Sequence, residues 1–241
     1  MTEIIERPSP NFDPRREGAP VDILVLHYTG MRTAEDALQR LCDPDAKVSS
    51  HYTIDEEGRI YRHVDESKRA RHAGVSWWAG ERDVNSRSIG IELVNPGHEF
   101  GYRPFPHVQI AALTELTRGI LKRHPIPPHR VVGHSDVAPA RKMDPGELFP
   151  WRELSGAGIG IFPHNSRDDA LVATSAAGGR EKLFAEMLAT YGYGVAPDVD
   201  TPLETVITAF QRHFRPEKVD GIIDRDSEAR LAGLLRLVSQ Q

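Results

Sequence analysis

The fold class is decided at Val21–Tyr28, where the chain reads VDILVLHY. Apolar and β-branched residues fill this short run, a composition typical of a strand that is covered on both faces. A second strand is predicted at Ser88–Val94, where Ile89, Ile91 and Leu93 alternate with smaller or polar residues. A histidine stands at the end of the first strand, so we expect an imidazole at the edge of the sheet.

The segments around these strands predict a mixed sheet with helices packed on it. A turn-rich stretch, DEEGR at Asp55–Arg59, separates two short strands and predicts a β-hairpin, whereas strands that alternate with helices predict parallel pairing. The predicted fold class is therefore α/β, with a mixed central β-sheet flanked by helices. Further strands are predicted at His51–Ile54, Ile60–His63 and Val131-Val132, and helices at Ala34–Leu41 and His107–Arg123, the last ending before Pro125.

The chain divides into two units joined by a linker. Residues 1–154 are predicted to form the larger domain, with residues 1–20 as an extended, proline-rich lead-in. Residues 155–179 are rich in Gly, Ala, Ser and Asn and are predicted to be a linker. Residues 180–241 are predicted to form a small three-helix domain, since a unit of about 60 residues can bury a core of its own, though a marginal one. Its helices are predicted at Glu181–Tyr191, Pro202–Phe214 and Ser227–Leu237.

Composition excludes several classes of protein. The formal net charge of −5 argues against a nucleic-acid-binding surface, and the single cysteine, Cys42, excludes an internal disulfide framework. No stretch approaches the roughly 20 apolar residues that span a bilayer, and nothing indicates a protein partner. Met1–Pro8 has no apolar signal-peptide core, so the cytoplasm is the expected location. A chain trimmed of its signal would read the same and would belong in the periplasm or cell envelope.

Three side chains form a candidate metal site. His27 ends the first strand. His134 follows the predicted strand Val131-Val132 after one glycine, Gly133, and Asp144 comes ten residues later. Two imidazoles and one carboxylate at strand ends or on rigid loops would leave one zinc position open for water, as in hydrolytic sites. Spacing alone does not decide this, because a histidine at a strand end is more often structural and the chain has 11 histidines.

A family signature is carried by five blocks in order: VLHYT (25–29), SSHY (49–52), HAGVS (72–76), SIGIEL (88–93) and GHSDVAPARKMDPG (133–146). Together they resemble the N-acetylmuramoyl-L-alanine amidases of the zinc amidase type 2 family, whose fold is that of peptidoglycan-recognition proteins. The resemblance covers about residues 20–152 and implies one zinc ion per chain. It implies hydrolysis of the amide between N-acetylmuramic acid, or its 1,6-anhydro form, and L-alanine of the stem peptide. The substrate would be peptidoglycan fragments or polymeric peptidoglycan, in wall recycling or remodelling.

The resemblance also implies a role for each catalytic residue. His27, His134 and Asp144 match the zinc ligands. Glu92 matches the acidic residue that takes a proton from the zinc-activated water and passes it to the leaving amine. Lys142 matches a lysine that stabilises the oxyanion of the tetrahedral intermediate. The alternatives are a solvated carboxylate on an edge strand for Glu92 and a surface salt bridge for Lys142.

Four further residues are candidates for substrate contact. Lys47, His72, Trp77 and Asn95 lie in or beside the blocks that border the substrate groove of the family, and for each a structural role is the alternative. His51 is interpreted as a structural residue behind the site. Two departures from the family pattern put the peptide preference in doubt: Arg71 stands where many relatives have tryptophan, and residues 81–83 (ERD) place acids where some relatives bind peptide with arginine.

The C-terminal segment resembles a three-helix peptidoglycan-binding module. The resemblance runs through YGY (191–193), TAFQRHF (208–214) and VDGIID (219–224). The alternative is a helical bundle that simply covers the catalytic domain. Two rival functions are a recognition protein without zinc and a wall-anchoring protein. The first is disfavoured because every ligand and catalytic residue is retained, and the second because the amidase resemblance covers most of the chain.

Overall fold

The computed structural model describes residues 3–163, 179–195 and 201–240. Its strands are β1 (Ile4–Glu6), β2 (Phe12–Pro14), β3 (Ile23–Tyr28), β4 (Tyr52–Ile54), β5 (Ile60–Arg62), β6 (Lys68–Ala70), β7 (Ser88–Leu93) and β8 (Val131–Gly133). Its helices are α1 (Ala34–Cys42), α2 (Val84–Arg87), α3 (Gly97–Phe100), α4 (His107–Arg123), α5 (His134–Val137), α6 (Trp151–Gly156), α7 (Gly179–Tyr191), α8 (Leu203–Phe214) and α9 (Arg225–Ser239). None of these helices is long and apolar enough to cross a membrane.

The predicted mixed sheet is confirmed. Six strands lie in the order β1-β5-β4-β7-β3-β8. The hairpin pair β4 and β5 is antiparallel, whereas β4, β7, β3 and β8 run parallel to one another. Residues 23–26 of β3 are fully buried, so both faces of this central strand are covered, as its continuous apolar run predicts.

Strand register brings the carboxyl ends of β7, β3 and β8 to one edge of the sheet. His27 on β3 pairs with Glu92 on β7, and Leu26 pairs with Gly133, the last residue of β8. His134 follows at once as the first residue of α5. Ligand sites of open α/β sheets occur at this edge, where the side chains of neighbouring strand ends converge.

The amino-terminal lead-in is more structured than predicted. β1 pairs in parallel with β5 at the edge of the main sheet, and β2 pairs with β6 in a separate two-stranded sheet. Ile4 and Ile5 remain 39% and 40% exposed, so edge pairing rather than burial orders β1, and such pairing leaves no apolar periodicity to detect. β6 and α6 were not predicted either, because three and six residues are too few to show a periodic pattern.

The predicted linker begins too early. α6 continues through Gly156, and beyond it Ile159 and Phe162 are buried in the main core. Most of the remaining predicted linker, residues 164–178, lies outside the described residues.

The three C-terminal helices are confirmed, but they do not form a separate core. Phe210, Phe214 and Leu234 belong to one apolar cluster that continues into the sheet domain. The joint lies at Trp78, whose ring meets that of Tyr193 edge-on with centroids 5.1 Å apart. The small bundle therefore packs its apolar faces on one another and on the larger domain.

Candidate metal centre and catalytic cavity

The structure brings the three predicted metal ligands together. The Nδ1 atoms of His27 and His134 are 3.0 Å apart, and each lies 3.0 Å from Oδ2 of Asp144. All three side chains are buried. Zinc bonds of about 2.0–2.1 Å in tetrahedral geometry place donor atoms about 3.3 Å apart, so this triangle has the size of a site for one small ion.

In both imidazoles Nε2 has a hydrogen-bond partner outside the triangle, and this orients Nδ1 towards the triangle. His134 Nε2 lies 3.1 Å from the Ala73 carbonyl oxygen, which only accepts, so Nε2 carries the hydrogen and Nδ1 keeps its lone pair. His27 Nε2 lies 3.1 Å from His72 Nδ1, and His72 Nε2 lies 3.2 Å from the Ser88 hydroxyl. With donation running from His27 to His72 to Ser88, both ligand nitrogens face the triangle unprotonated.

Charge also suits a divalent cation. Burial lowers the pKa of His27 to about 4, so its imidazole is neutral near pH 7. The triangle then offers the neutral His27 imidazole, the His134 imidazole and the Asp144 carboxylate, a donor set that binds zinc.

The two ligand loops are tied to each other. The Ser135 amide donates to the Asp144 carbonyl oxygen across 2.8 Å. Gly133 packs so closely on Pro145 that an added Cβ would lie 2.7 Å from its Cδ. The segments that supply His134 and Asp144 are therefore held against each other, and the glycine before the histidine permits the close approach.

Glu92 has the surroundings of a proton acceptor. Its Oε2 is buried and makes no hydrogen bond with the described part of the chain. Burial first, and the nearby Asp144 carboxylate second, raise the pKa of Glu92 well above its ordinary value, while Lys142 opposes the shift. A carboxylate with such a pKa in a cavity is the usual sign of acid–base catalysis.

A cavity of about 420 Å³ lies in front of the triangle. Glu92, His134, Lys142 and Asp144 line it, which places both predicted catalytic residues beside the metal ligands. Its volume is that of a site for a small organic molecule or a short peptide. Arginine side chains at positions 40, 71 and 141 also line it, and Arg71 is ion-paired with Asp13.

Two of the four weaker candidates have structural partners instead. His72 is 8% exposed and sits behind His27, with the backbone of Gly90 against its ring. The amide of Asn95 donates to the Arg103 carbonyl at 2.8 Å and accepts from the Gly97 amide at 3.0 Å, which ties a loop together. Both side chains therefore hold the site in place, and His72 also lines the main cavity, so its contact with substrate stays a prediction.

The other two candidates do not lie on the main cavity. Lys47 is exposed and is absent from the cavity lining. Trp77 lines a second pocket of about 280 Å³, which also includes Gly194 and Thr201 of the C-terminal segment. His51 is structural as interpreted, because its Nδ1 accepts from the Gly90 amide at 3.0 Å.

Sequence reasoning missed Tyr28. This residue lines the cavity and bonds through its hydroxyl to His98 Nδ1 at 2.9 Å. Burial raises its pKa to about 12. Its position directly after His27 at a strand end was a signal, because the residue that follows a ligand at a strand's carboxyl end also lies near the site.

An open α/β sheet that carries a His-His-Asp triangle at one edge, beside a buried glutamate and a lysine, has the side chains of a hydrolase site. The chain belongs to the N-acetylmuramoyl-L-alanine amidase family Amidase_2, whose family model matches residues 17–147. The predicted family, enzyme class and fold are thereby confirmed.

Relatives resemble the chain over nearly its whole length. N-acetylmuramoyl-L-alanine amidase AmiD of Escherichia coli is 39% identical over 98% of this chain and 92% of its own. A crystal structure of AmiD with the substrate anhydro-N-acetylmuramic acid-L-Ala-D-γ-Glu-L-Lys has a TM-score of 0.81, at 38% identity over 94% of both chains. AmpDh3 of Pseudomonas aeruginosa also gives 0.81, at 36% identity over 91% of this chain and 92% of its own. In contrast, 1,6-anhydro-N-acetylmuramyl-L-alanine amidase AmpD of Haemophilus influenzae is 36% identical over 63% of this chain and 90% of its own.

Proposed function

We propose that this chain, with one bound zinc ion, hydrolyses the amide between the lactyl group of N-acetylmuramic acid, in its 1,6-anhydro form, and L-alanine of a stem peptide. One observation carries the proposal: His27, His134 and Asp144 form a triangle with 3.0 Å sides, and the cavity lined by His134 and Asp144 also contains Glu92, whose Oε2 bonds to none of the described residues. The anhydro substrate is supported by the AmiD complex, whose protein resembles this chain over 94% of its length. Intact wall and location in the cytoplasm or envelope remain predictions.

Zinc held by His27, His134 and Asp144 would supply Lewis acidity, which acidifies water and polarises a carbonyl oxygen. Oε2 of Glu92 takes a proton from the attacking water. Its raised pKa makes it a stronger base and lets it keep that proton until the nitrogen of the leaving amine accepts it. Breaking the C–N bond then yields the free amine of L-alanine and the muramic carboxylate.

Lys142 stabilises charge at the reacting carbon. As water adds to the amide carbonyl, negative charge develops on the carbonyl oxygen, and an ammonium group aimed at that oxygen lowers the barrier. Lys142 lies in the cavity lining beside Asp144, on the same loop. Its chemistry complements that of Glu92, which handles protons rather than the oxyanion.

The proposal is tested by zinc content and product release in the wild type and in Glu92→Gln. The substrate is anhydro-N-acetylmuramic acid carrying an L-Ala-led tripeptide, and the released peptide is identified by mass. We expect one zinc per chain in both proteins, with kcat lower by about 10²–10⁴-fold in the variant, since general acid–base catalysis contributes that much. Glu99→Gln is the matched control, because Glu99 is an exposed carboxylate at the rim of the same cavity.

Three outcomes separate the hypotheses. Zinc retained with activity lost only in Glu92→Gln supports both the site and the role. Zinc without cleavage of the anhydro substrate would direct the test to polymeric peptidoglycan. A wild-type chain that neither binds zinc nor cleaves would contradict the proposal and favour the recognition protein.

A further inference from the structure

The C-terminal segment reaches the metal loop through one buried carboxylate, Asp136. Its Oδ2 accepts from the Gly133 amide at 2.7 Å and from His213 Nδ1 at 2.7 Å, and its Oδ1 accepts from the Tyr193 hydroxyl at 2.6 Å. Asp136 is 1% exposed, so these bonds replace water for a buried charge. Two of the three donors lie beyond residues 17–147, the part matched by the amidase family model.

Asp136 is joined to both loops of the metal triangle. Its carboxylate holds the amide of Gly133, the residue immediately before the ligand His134. Ser135 lies between His134 and Asp136 in the sequence, and its backbone amide donates to the Asp144 carbonyl oxygen. A shift of Asp136 would therefore be passed by short backbone links to two of the three ligand side chains.

The two C-terminal donors are themselves held firmly. The His213 ring lies between Trp151 and Phe214, stacked on each with centroids 3.7 Å away. Tyr193 is 1% exposed and packs edge-on against Trp78. Next to Tyr193, the Gly192 carbonyl accepts from the Ala79 amide at 2.8 Å. Donors fixed in this way can fix the carboxylate that they bind.

We propose that Tyr193 and His213 are positioning residues for the metal centre, acting through Asp136 to hold the loop of His134 and Asp144 in its metal-binding geometry. This inference rests on the proposed function, because it concerns the affinity of the site for zinc. The C-terminal helices are then part of the scaffold of the active site. A helical unit that only binds wall, or only covers the domain, would not influence zinc affinity.

The test compares two conservative variants of neighbouring tyrosines in the full chain. Tyr193→Phe removes the hydroxyl that binds Asp136, whereas Tyr191→Phe removes a hydroxyl that makes no hydrogen bond with the described residues, in the same aromatic cluster. Zinc dissociation constants are measured by competition with a chelator, and Tm is measured on the metal-free proteins. We expect zinc affinity to fall about 10-fold in Tyr193→Phe, at the low end of the effect of losing partners around metal ligands, and to change less than 2-fold in Tyr191→Phe.

A second pair of variants tests the imidazole. His213→Asn keeps an N–H donor on the atom attached to Cγ, where Nδ1 stands, and is expected to retain zinc affinity within about 3-fold. His213→Leu removes the donor and is expected to lower affinity about 10-fold or more. Rescue by asparagine separates the hydrogen bond from the loss of the ring, which both variants share.

The outcomes distinguish this inference from the function on which it rests. Wild-type zinc affinity in Tyr193→Phe and His213→Leu, with Tm lowered, would overturn the positioning role and leave these residues as stabilising contacts only. A wild-type chain that binds no zinc would overturn the proposed function and this inference with it. Weaker zinc binding in Tyr193→Phe but not in Tyr191→Phe supports the inference.

Discussion

Lys142 and Glu92 reach the cavity from different elements, and this separates their chemistry. Glu92 stands on β7, a central strand, and its carboxylate is partly desolvated by the sheet. Lys142 stands on the loop before Asp144 and is half-buried. The strand holds the group that must exchange protons at a fixed atom, whereas the loop supplies a charge on a long side chain that reaches a developing oxyanion.

Lys142→Met should lower kcat without loss of zinc. Methionine has nearly the length of the lysine stem but no charge, so only the electrostatic stabilisation of the oxyanion is removed. We expect kcat to fall about 10²–10³-fold, the usual effect of removing one oxyanion-stabilising donor, with zinc content unchanged. Lys122→Met, at an exposed position in the last turn of α4, is the control. Equal activity of the Lys142 variant and the wild type would show that this ammonium does not serve the reaction.

At the scale of elements, β7 packs closely against the segment that carries His72, because the residue of β7 at the contact is a glycine. Gly90 lies in the middle of β7, and a Cβ added there would be 2.4 Å from His72 Cγ. The imidazole thus rests directly on the strand backbone and can reach His27 Nε2 on the neighbouring strand. The close approach of ring and strand places a hydrogen-bond partner behind a metal ligand.

Gly90→Ala should destabilise the fold. The new methyl group overlaps the His72 ring, and overpacking of this kind costs about 1–3 kcal/mol of unfolding free energy. Gly156→Ala is the matched control, because an added Cβ there meets nothing within 4 Å. That change should be neutral or stabilise by up to about 1 kcal/mol. Urea unfolding of the two variants beside the wild type measures both effects, and an unchanged midpoint for Gly90→Ala would contradict the packing described.

Across the whole molecule, burial keeps several histidines neutral. Burial lowers the pKa of His63 to about 4 and that of His51 to about 3. In His63, Nδ1 donates to the Arg7 carbonyl at 2.7 Å and Nε2 accepts from the Thr53 hydroxyl at 2.9 Å, an arrangement that suits the neutral ring. The unfolded chain, with a pKa of about 6.5, takes up the proton first. Stability is therefore full above pH 6.5 and is lost as the pH falls from about 6.5 towards 4.

His63→Gln should weaken this acid sensitivity. Between pH 7 and pH 5 this histidine takes up a proton in the unfolded chain but stays neutral in the folded chain. That difference lowers the free energy of unfolding by about 2 kcal/mol. The variant, measured metal-free by urea unfolding at both pH values, should lose about 2 kcal/mol less than the wild type over that interval. His107→Gln, at an exposed position at the start of α4, should behave like the wild type. Parallel losses in all three proteins would show that His63 is not the source.

The sequence by itself determined the longer local elements, and its resemblance to the amidase family implied the five central residues. Helix α4 has the predicted bounds, His107–Arg123, because its apolar spacing and the proline that follows are local signals. The metal ligands and the two catalytic residues came from five blocks that resemble the amidase family. The triangle of His27, His134 and Asp144, with Glu92 and Lys142 lining the adjacent cavity, agrees with that interpretation.

Only the tertiary structure decided which strands are neighbours and what each secondary candidate touches. The order that places β3 between β7 and β8, the packing of His72 behind His27, and the bonds of Asp136 with Tyr193 and His213 all join residues far apart in the chain. Apolar periodicity records whether a position is buried, but not which distant residue buries it. The role of a polar side chain such as that of Asp136 depends on hydrogen-bond donors from other elements, which only the folded structure identifies.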